Sequence, residues 1–185
     1  MTSTTQKLEF IGHSGARLAA RLDLPNGPVR AYALFAHCFT CSKDMVAVRR
    51  IAAELAREGV AVLRFDFTGL GSSEGDFAST NFSSNVADLV SAADYLCEHY
   101  EAPSVLIGHS LGGAAVLVAA KNIPELRAVI TIGAPADAEH VLKKLGSGLG
   151  KIGQHGDSEV ELAGRKFRIG KQFVEDVSAQ RVREA

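Results

Sequence analysis

The sequence predicts an α/β fold: an open, mostly parallel sheet of about six core strands with an antiparallel N-terminal hairpin. Three observations carry this expectation. Short, continuously apolar runs at 31–36, 60–65, 105–107 and 128–132 suit parallel strands covered on both faces. The stretches between them space their apolar residues helically. Ahead of them, apolar and polar residues alternate over 7–10 and 18–24, with His13-Ser14-Gly15 supplying the turn of a hairpin.

The elements follow in order. Met45, Val48, Ala52 and Leu55 define a first helix that Gly59 can close. Phe82, Val86, Leu89, Ala93 and Leu96 repeat the spacing in a second. The third, from Leu111 to Asn122, is apolar nearly all round and should be buried, and Pro124 forbids much continuation. Pro135 is expected to open a fourth helix, with 146–156 a glycine-rich loop. Val160 and Leu162 then alternate, Ala163-Gly164 can turn, and Phe167 and Ile169 alternate again before a helix over 171–184. This appended loop, hairpin and helix, residues 146–185, covers either a pocket, as a lid, or a face of the sheet. No repeat or linker divides the chain, so 1–185 reads as a single domain.

Composition narrows the partners. A formal net charge of -1, with 46% hydrophobic and 22% charged residues, describes a globular chain. Lys and Arg are scattered apart from short groups such as Arg49-Arg50 and Lys143-Lys144, which read as solvated helix faces, so no nucleic-acid partner is expected. The start lacks a basic region followed by an apolar core, and no apolar run reaches the ~18 residues that span a bilayer. A cytoplasmic address without membrane association is therefore expected. Cys38, Cys41 and Cys97 are too few and odd in number for a disulfide framework, which predicts reduced thiols.

The strongest chemical signal is Gly108-His109-Ser110-Leu111-Gly112, placed where a buried strand passes directly into a buried helix. A serine on that sharp turn projects its hydroxyl above the sheet. The glycines, with Gly113, let neighbouring backbone approach, and the helix N-terminus favours developing negative charge. Ser110 is thus the candidate nucleophile; the plain alternative is a glycine-rich turn with a chance serine.

His37-Cys38-Phe39-Thr40, then Arg64-Phe65-Asp66-Phe67-Thr68-Gly69-Leu70-Gly71-Ser72-Ser73-Glu74-Gly75, then the serine motif occur in that order. In these segments, and over residues 7–140, the sequence resembles the α/β hydrolases. Within them it is similar to the hydrolase half of bacterial proteins that join an α/β hydrolase to an OsmC-like domain, with no second domain of that kind expected here. The resemblance implies a serine-hydrolase ancestry and no particular substrate; the activity expected here is hydrolysis of small carboxylic esters through a Ser110 acyl-enzyme, without cofactor or metal. It also implies an oxyanion hole built from the backbone N–H groups of Phe39 and Leu111. Asp66 and Ser73 fall in a loop that buttresses the site, and Gly69, Gly71 and Gly75 miss dinucleotide-binding spacing. One departure is Cys38, where the family commonly has glycine; its side chain is expected to narrow the approach.

The rest of a triad is harder to place. The family order is serine, acid, histidine, with the acid after a seventh strand and the histidine after an eighth. No buried parallel strand is visible after 132, so the sheet is expected to be truncated on its C-terminal side. Asp137 and His140 are then the candidate acid and base, with His155 the other downstream histidine, although Asp137 and His140 also suit an ordinary surface i, i+3 contact. His13 and His99 read as surface positions and His109 as pointing away from Ser110. Losing a triad histidine can cost ~10⁶ in turnover, so a second reading is a non-catalytic binder of acyl compounds. A third is a thiol redox protein, from Cys38-Phe39-Thr40-Cys41, although Ser42-Lys43-Asp44 suggests that the following helix starts only beyond Cys41, so that its N-terminal field acts less directly on Cys38. Finally, 128–132 becomes a sheet edge without charge or proline to blunt it. Either the 160–169 hairpin covers that edge or a second chain pairs there in a homodimer.

Overall fold

The computed structural model describes residues 4–146, 148–162 and 164–184. Strands β1 (Thr4–Ile11) and β2 (Arg17–Leu24) form the N-terminal hairpin, with Phe10 opposite Leu18. There follow β3 (Ala31–Ala36), α1 (Val46–Arg57), β4 (Val60–Phe65), α2 (Phe82–His99), β5 (Val105–His109), α3 (Leu111–Ala119) and β6 (Ala128–Ile132). The sheet order is β1-β2-β4-β3-β5-β6. β1, β2 and β4 pair antiparallel and the remaining neighbours parallel, which confirms the expected α/β class.

Coverage of both faces explains the continuous apolar runs. Ala33, Phe35, Val62 and Ile107 meet Val48 and Ala52 of α1 on one side. The alternate residues Leu34, Leu63 and Leu106 join Leu89 and Val116, from α2 and α3, in the larger core on the other. β3, β4 and β5 thus bury nearly every side chain and the period-two signal disappears, whereas β6, expected to be covered in the same way, is largely exposed.

Beyond β6 the structure departs from expectation. Pro135 lies in a loop, and a 3₁₀ helix occupies Ala138–Leu145 instead of a fourth α-helix starting at the proline. The expected glycine-rich loop contains α4 (Gly148–His155). Each glycine there disfavours the helix by about 1 kcal/mol. Burial of Ile152 outweighs this, and Gly148 approaches Val160 so closely that a side chain would collide. β7 (Asp157–Leu162) and β8 (Arg165–Gly170) form the expected hairpin, of whose turn Ala163 lies outside the described residues. α5 (Lys171–Ala179) is shorter than expected, and a 3₁₀ turn follows at Val182–Glu184.

The hairpin does not cover β6. It forms its own two-stranded sheet, because burying Val160, Leu162 and Ile169 in the main core satisfies its apolar face elsewhere. Among the described residues β6 pairs with β5 alone, leaving Ile130 46% and Ile132 38% exposed. No helix among the described residues is long and apolar enough to cross a membrane.

One buried ion pair ties the loops to the sheet. Asp66, just after β4, accepts hydrogen bonds from the Lys43 Nζ at 2.6 Å, the Lys43 amide at 2.7 Å and the Ser72 amide at 2.9 Å. The Ser73 hydroxyl donates to the Asp66 carbonyl at 2.6 Å and accepts from the Ala19 amide of β2 at 2.9 Å. Asp66 and Ser73 therefore have the structural roles expected of them. Arg64 adds a second buried link, donating to Asp23 at 2.6 Å and to the Lys43 carbonyl at 2.8 Å.

Asp66→Ala should leave the buried Lys43 cation with only the half-exposed Asp44 carboxylate, 3.3 Å away, and destabilise the protein by about 3 kcal/mol in urea unfolding. The double change Lys43→Met with Asp66→Leu should recover part of that loss. Additive losses in the double variant would refute this account of the pair.

Candidate active site

The site begins where β5 becomes α3. Ser110 sits between them with φ 52° and ψ -123°, in the left-handed region that costs a non-glycine residue about 1–3 kcal/mol. Its amide donates to the Ile132 carbonyl of β6 at 2.9 Å, and its carbonyl accepts from the Gly113 amide at 2.8 Å. The turn needs glycine because a Cβ on Gly108 would lie 2.6 Å from the Gly113 Cα. Ser110 occupies the N-cap of α3 but makes no side-chain capping hydrogen bond. Its hydroxyl has no partner among the described residues and is left for other chemistry. The Leu111 amide, as the first of the helix, has no intrahelical acceptor.

The neighbouring strand β3 ends in the loop that carries Phe39. His37 is buried, and its Nδ1 donates to the Cys38 carbonyl at 2.9 Å. Its Nε2 has no hydrogen-bond partner and stands 3.8 Å from Asp66. Burial, above all, lowers the His37 pKa, and the cations of Lys43 and Arg165 act in the same direction. The Cys38 carbonyl and Asp66 oppose them.

Cys38 to Cys41 form a tight turn, closed by a Cys41 amide to Cys38 carbonyl bond at 3.0 Å. Thr40 takes φ 65°, the other non-glycine residue with positive φ among those described. The turn brings the two cysteine Cα atoms to 5.2 Å, and Cys38 and Cys41 are joined as a disulfide. This corrects the expectation of reduced thiols: local geometry, rather than cysteine count, makes the pairing. α1 begins only at Val46, beyond the pair, as expected.

The appended segment rests on this loop. The Phe39 ring stacks on Phe173 of α5 at 5.0 Å and meets Phe77 at 5.6 Å, while Phe77 meets Phe167 of β8 at 5.2 Å. Arg165 lies 5.3 Å over Phe167 and donates to the Thr40 carbonyl. Asp176 fastens α5 to the start of α2, accepting from the Ser83 amide at 2.7 Å and its hydroxyl at 2.6 Å.

Two cavities meet at Leu111. A void of about 10 Å³ is lined by His37, Cys38, Phe39, Leu111 and Gly112, among others. An open cleft of about 600 Å³ is lined by Ser110, Leu111, Pro135, Asp137, His140 and Lys144, among others. Asp137 and His140 are thus brought to the wall of the Ser110 cleft, both exposed. The His140 amide bonds to the Asp137 carbonyl at 3.1 Å, and among the described residues no hydrogen bond joins the His140 ring to Ser110. His155 does not line this cleft.

Lys144, read in the sequence as part of a solvated face, shares the cleft, one helical turn beyond His140. His13 is more than a surface residue, since its Nδ1 pairs at 3.0 Å with buried Asp88. Asp88 also accepts from the Thr68 amide at 3.0 Å and hydroxyl at 2.8 Å. Among the described residues no group of three or more His, Cys, Asp and Glu could hold a metal ion.

A family model described as serine aminopeptidase, S33, matches residues 27–160. The chain is 50% identical to the esterase domain of a Rhodothermus marinus protein, covering 94% of this chain and 68% of that one at a TM-score of 0.70. The structure of α/β hydrolase domain-containing protein 10 from mouse superposes at a TM-score of 0.72 with 22% identity, over 94% of this chain and 69% of that one, a likeness of fold. Among curated proteins, the mitochondrial palmitoyl-protein thioesterase ABHD10 of Rattus norvegicus is 32% identical over 105 residues, 57% of this chain and 33% of that protein. Its Mus musculus counterpart is 40% identical over 80 residues, 43% of this chain and 26% of that protein. The chain therefore matches a third or less of the length of these curated relatives.

The geometry of His37 predicts a pH dependence of stability. Its folded pKa lies below the ordinary 6.5, so as the pH falls through that value the unfolded chain takes up a proton that the buried ring resists. Stability should fall in that window by at most about 1.4 kcal/mol per pH unit, until the folded pKa is reached. His37→Asn, whose amide can still donate to the Cys38 carbonyl, should flatten urea-derived stability between about pH 7.5 and 5. Parallel profiles for parent and variant would show that His37 titrates alike in both states.

Proposed function

The chain belongs to the serine aminopeptidase S33 family of α/β hydrolases, and on that premise we propose that it hydrolyses small carboxylic esters with Ser110 as nucleophile. The observation that carries the proposal is the strained Ser110 between β5 and α3, with an uncommitted hydroxyl opening on a cleft of about 600 Å³. A serine held in that conformation without a capping bond has no evident structural reason to be there.

In the proposed reaction the Ser110 hydroxyl attacks the ester carbonyl while a base removes its proton. Negative charge develops on the carbonyl oxygen and is received by the Phe39 and Leu111 N–H groups, each donor stabilising the transition state by ~3 kcal/mol. The protonated base returns its proton to the leaving alkoxide, giving an acyl-Ser110. Water, deprotonated by the same base, then releases the acid and restores the serine. His140 is assigned the base and Asp137 its partner, because His140 is the histidine that lines the Ser110 cleft. Productive contact requires the 133–140 segment to bring the His140 ring to Ser110.

One observation favours a second reading. The absence of a hydrogen bond between His140 and Ser110 suits a pocket that binds acyl compounds without turning them over. Labelling with a fluorophosphonate probe and hydrolysis of p-nitrophenyl acetate separate the two readings. The proposal expects both in the parent, neither in Ser110→Ala, and a loss of turnover of ~100-fold or more in His140→Ala. Binding of the ester without Ser110-dependent turnover would support the binder, and equal turnover in parent and Ser110→Ala would remove Ser110 from the chemistry.

A further inference from the structure

We infer that the Cys38–Cys41 disulfide is a redox clasp that holds the Phe39 loop in its competent form, and that reduction by a small dithiol releases the loop and slows the enzyme. The inference rests on the proposed role of the Phe39 N–H as an oxyanion donor.

The disulfide closes a ring around Phe39 and Thr40. Within that ring Thr40, β-branched and buried, holds φ 65°. A conformation of this kind persists only where its surroundings over-determine it. The disulfide is the one covalent constraint on it; the others are a turn hydrogen bond of 3.0 Å, the His37 bond to the Cys38 carbonyl, the Arg165 contact to the Thr40 carbonyl and the packing of Phe39 on Phe173 and Phe77. Both flanks are fixed, by buried His37 at the end of β3 and by Lys43 on Asp66. Loss of the disulfide therefore leaves the positive φ of Thr40 to non-covalent contacts alone, with the flanks unchanged. Both sulfur-bearing residues are half-buried rather than enclosed, which leaves them open to an external thiolate.

The exchange balances as follows. One thiolate of the dithiol attacks a cysteine sulfur, the S–S bond breaks, and the partner cysteine leaves as thiolate. The second thiol of the reagent then displaces the first cysteine and closes the reagent's own disulfide. Two electrons and two protons pass from dithiol to protein. A small disulfide such as oxidised glutathione reverses the step and leaves as two thiols.

The full chain is compared oxidised and after dithiothreitol. Alkylation mass should rise from one blocked thiol, at Cys97, to three. Hydrogen exchange should accelerate at the 38–41 amides. Turnover of p-nitrophenyl acetate should fall by ~10- to 100-fold, approaching the loss expected on removing an oxyanion donor. Cys38→Ser with Cys41→Ser should match the reduced parent and ignore dithiol. Adding Thr40→Gly, which favours positive φ without a clasp, should restore most of the lost turnover.

Equal exchange at 38–41 in the two redox states overturns the clasp. So does equal turnover where hydrolysis depends on Ser110. Failure of Thr40→Gly to restore turnover overturns the strain mechanism on which the inference stands. If the parent shows no Ser110-dependent hydrolysis, the proposed function has failed instead, and the exchange measurement alone decides the clasp.

Discussion

The architecture of the site depends on one buried carboxylate. Asp66 ends β4 at the centre of the sheet, and three donors from two different loops converge on it. An ionised carboxyl in such a place is tolerated only because Lys43 supplies the opposite charge and the backbone amides fill the remaining acceptor positions. This requirement fixes where Lys43 lies, and Lys43 ends the loop that begins at His37. The Phe39 turn is thus suspended between the end of β3 and a residue that electrostatics will not allow to move. A substituted side chain at 66 would disturb the site without touching it.

Adjacent parallel strands carry the two strained residues. β3 and β5 are hydrogen-bonded neighbours, and the chain leaves them through Thr40 and Ser110, both at positive φ. Strand pairing sets the spacing between the two exits, and the crossover at Gly112 lets α3 come within contact of the Ala36 and His37 carbonyls. The proposed donors Phe39 and Leu111 therefore descend from a rigid sheet, while the proposed acid and base lie on the irregular 3₁₀ segment after β6. The rigid half and the loose half of the site differ in the kind of backbone that bears them.

That division also explains what could be read from the sequence. The parallel strands, the helices over them and the Ser110 turn were legible because each is a local pattern: a short apolar run, a helical spacing, glycines around a serine. Asp66 and Ser73 were legible as supports through their motif. α4 was not, since its glycines argue against a helix and only the packing of Ile152 and Gly148 argues for one. The disulfide was missed because the number of cysteines carries no information about the turn that joins two of them. The stacking of Phe39 on Phe173 and the reach of Arg165 to Thr40 join residues more than a hundred positions apart, and nothing in their local sequence announces the partner.

The hydrogen bond from the Ser110 amide to the Ile132 carbonyl gives an edge strand a hold on the proposed nucleophile. β6 is an edge strand of the main sheet that, among the described residues, pairs with β5 alone and is largely exposed. Elements with few buried contacts can open locally at a free-energy cost below that of global unfolding. Each such fraying event detaches the serine's backbone from its anchor and permits φ to relax. On the proposed role of Ser110, whatever lies along the free side of β6 would then set the fraction of molecules in which the serine turn is held, making order at the rim of the sheet a determinant of the reactive population.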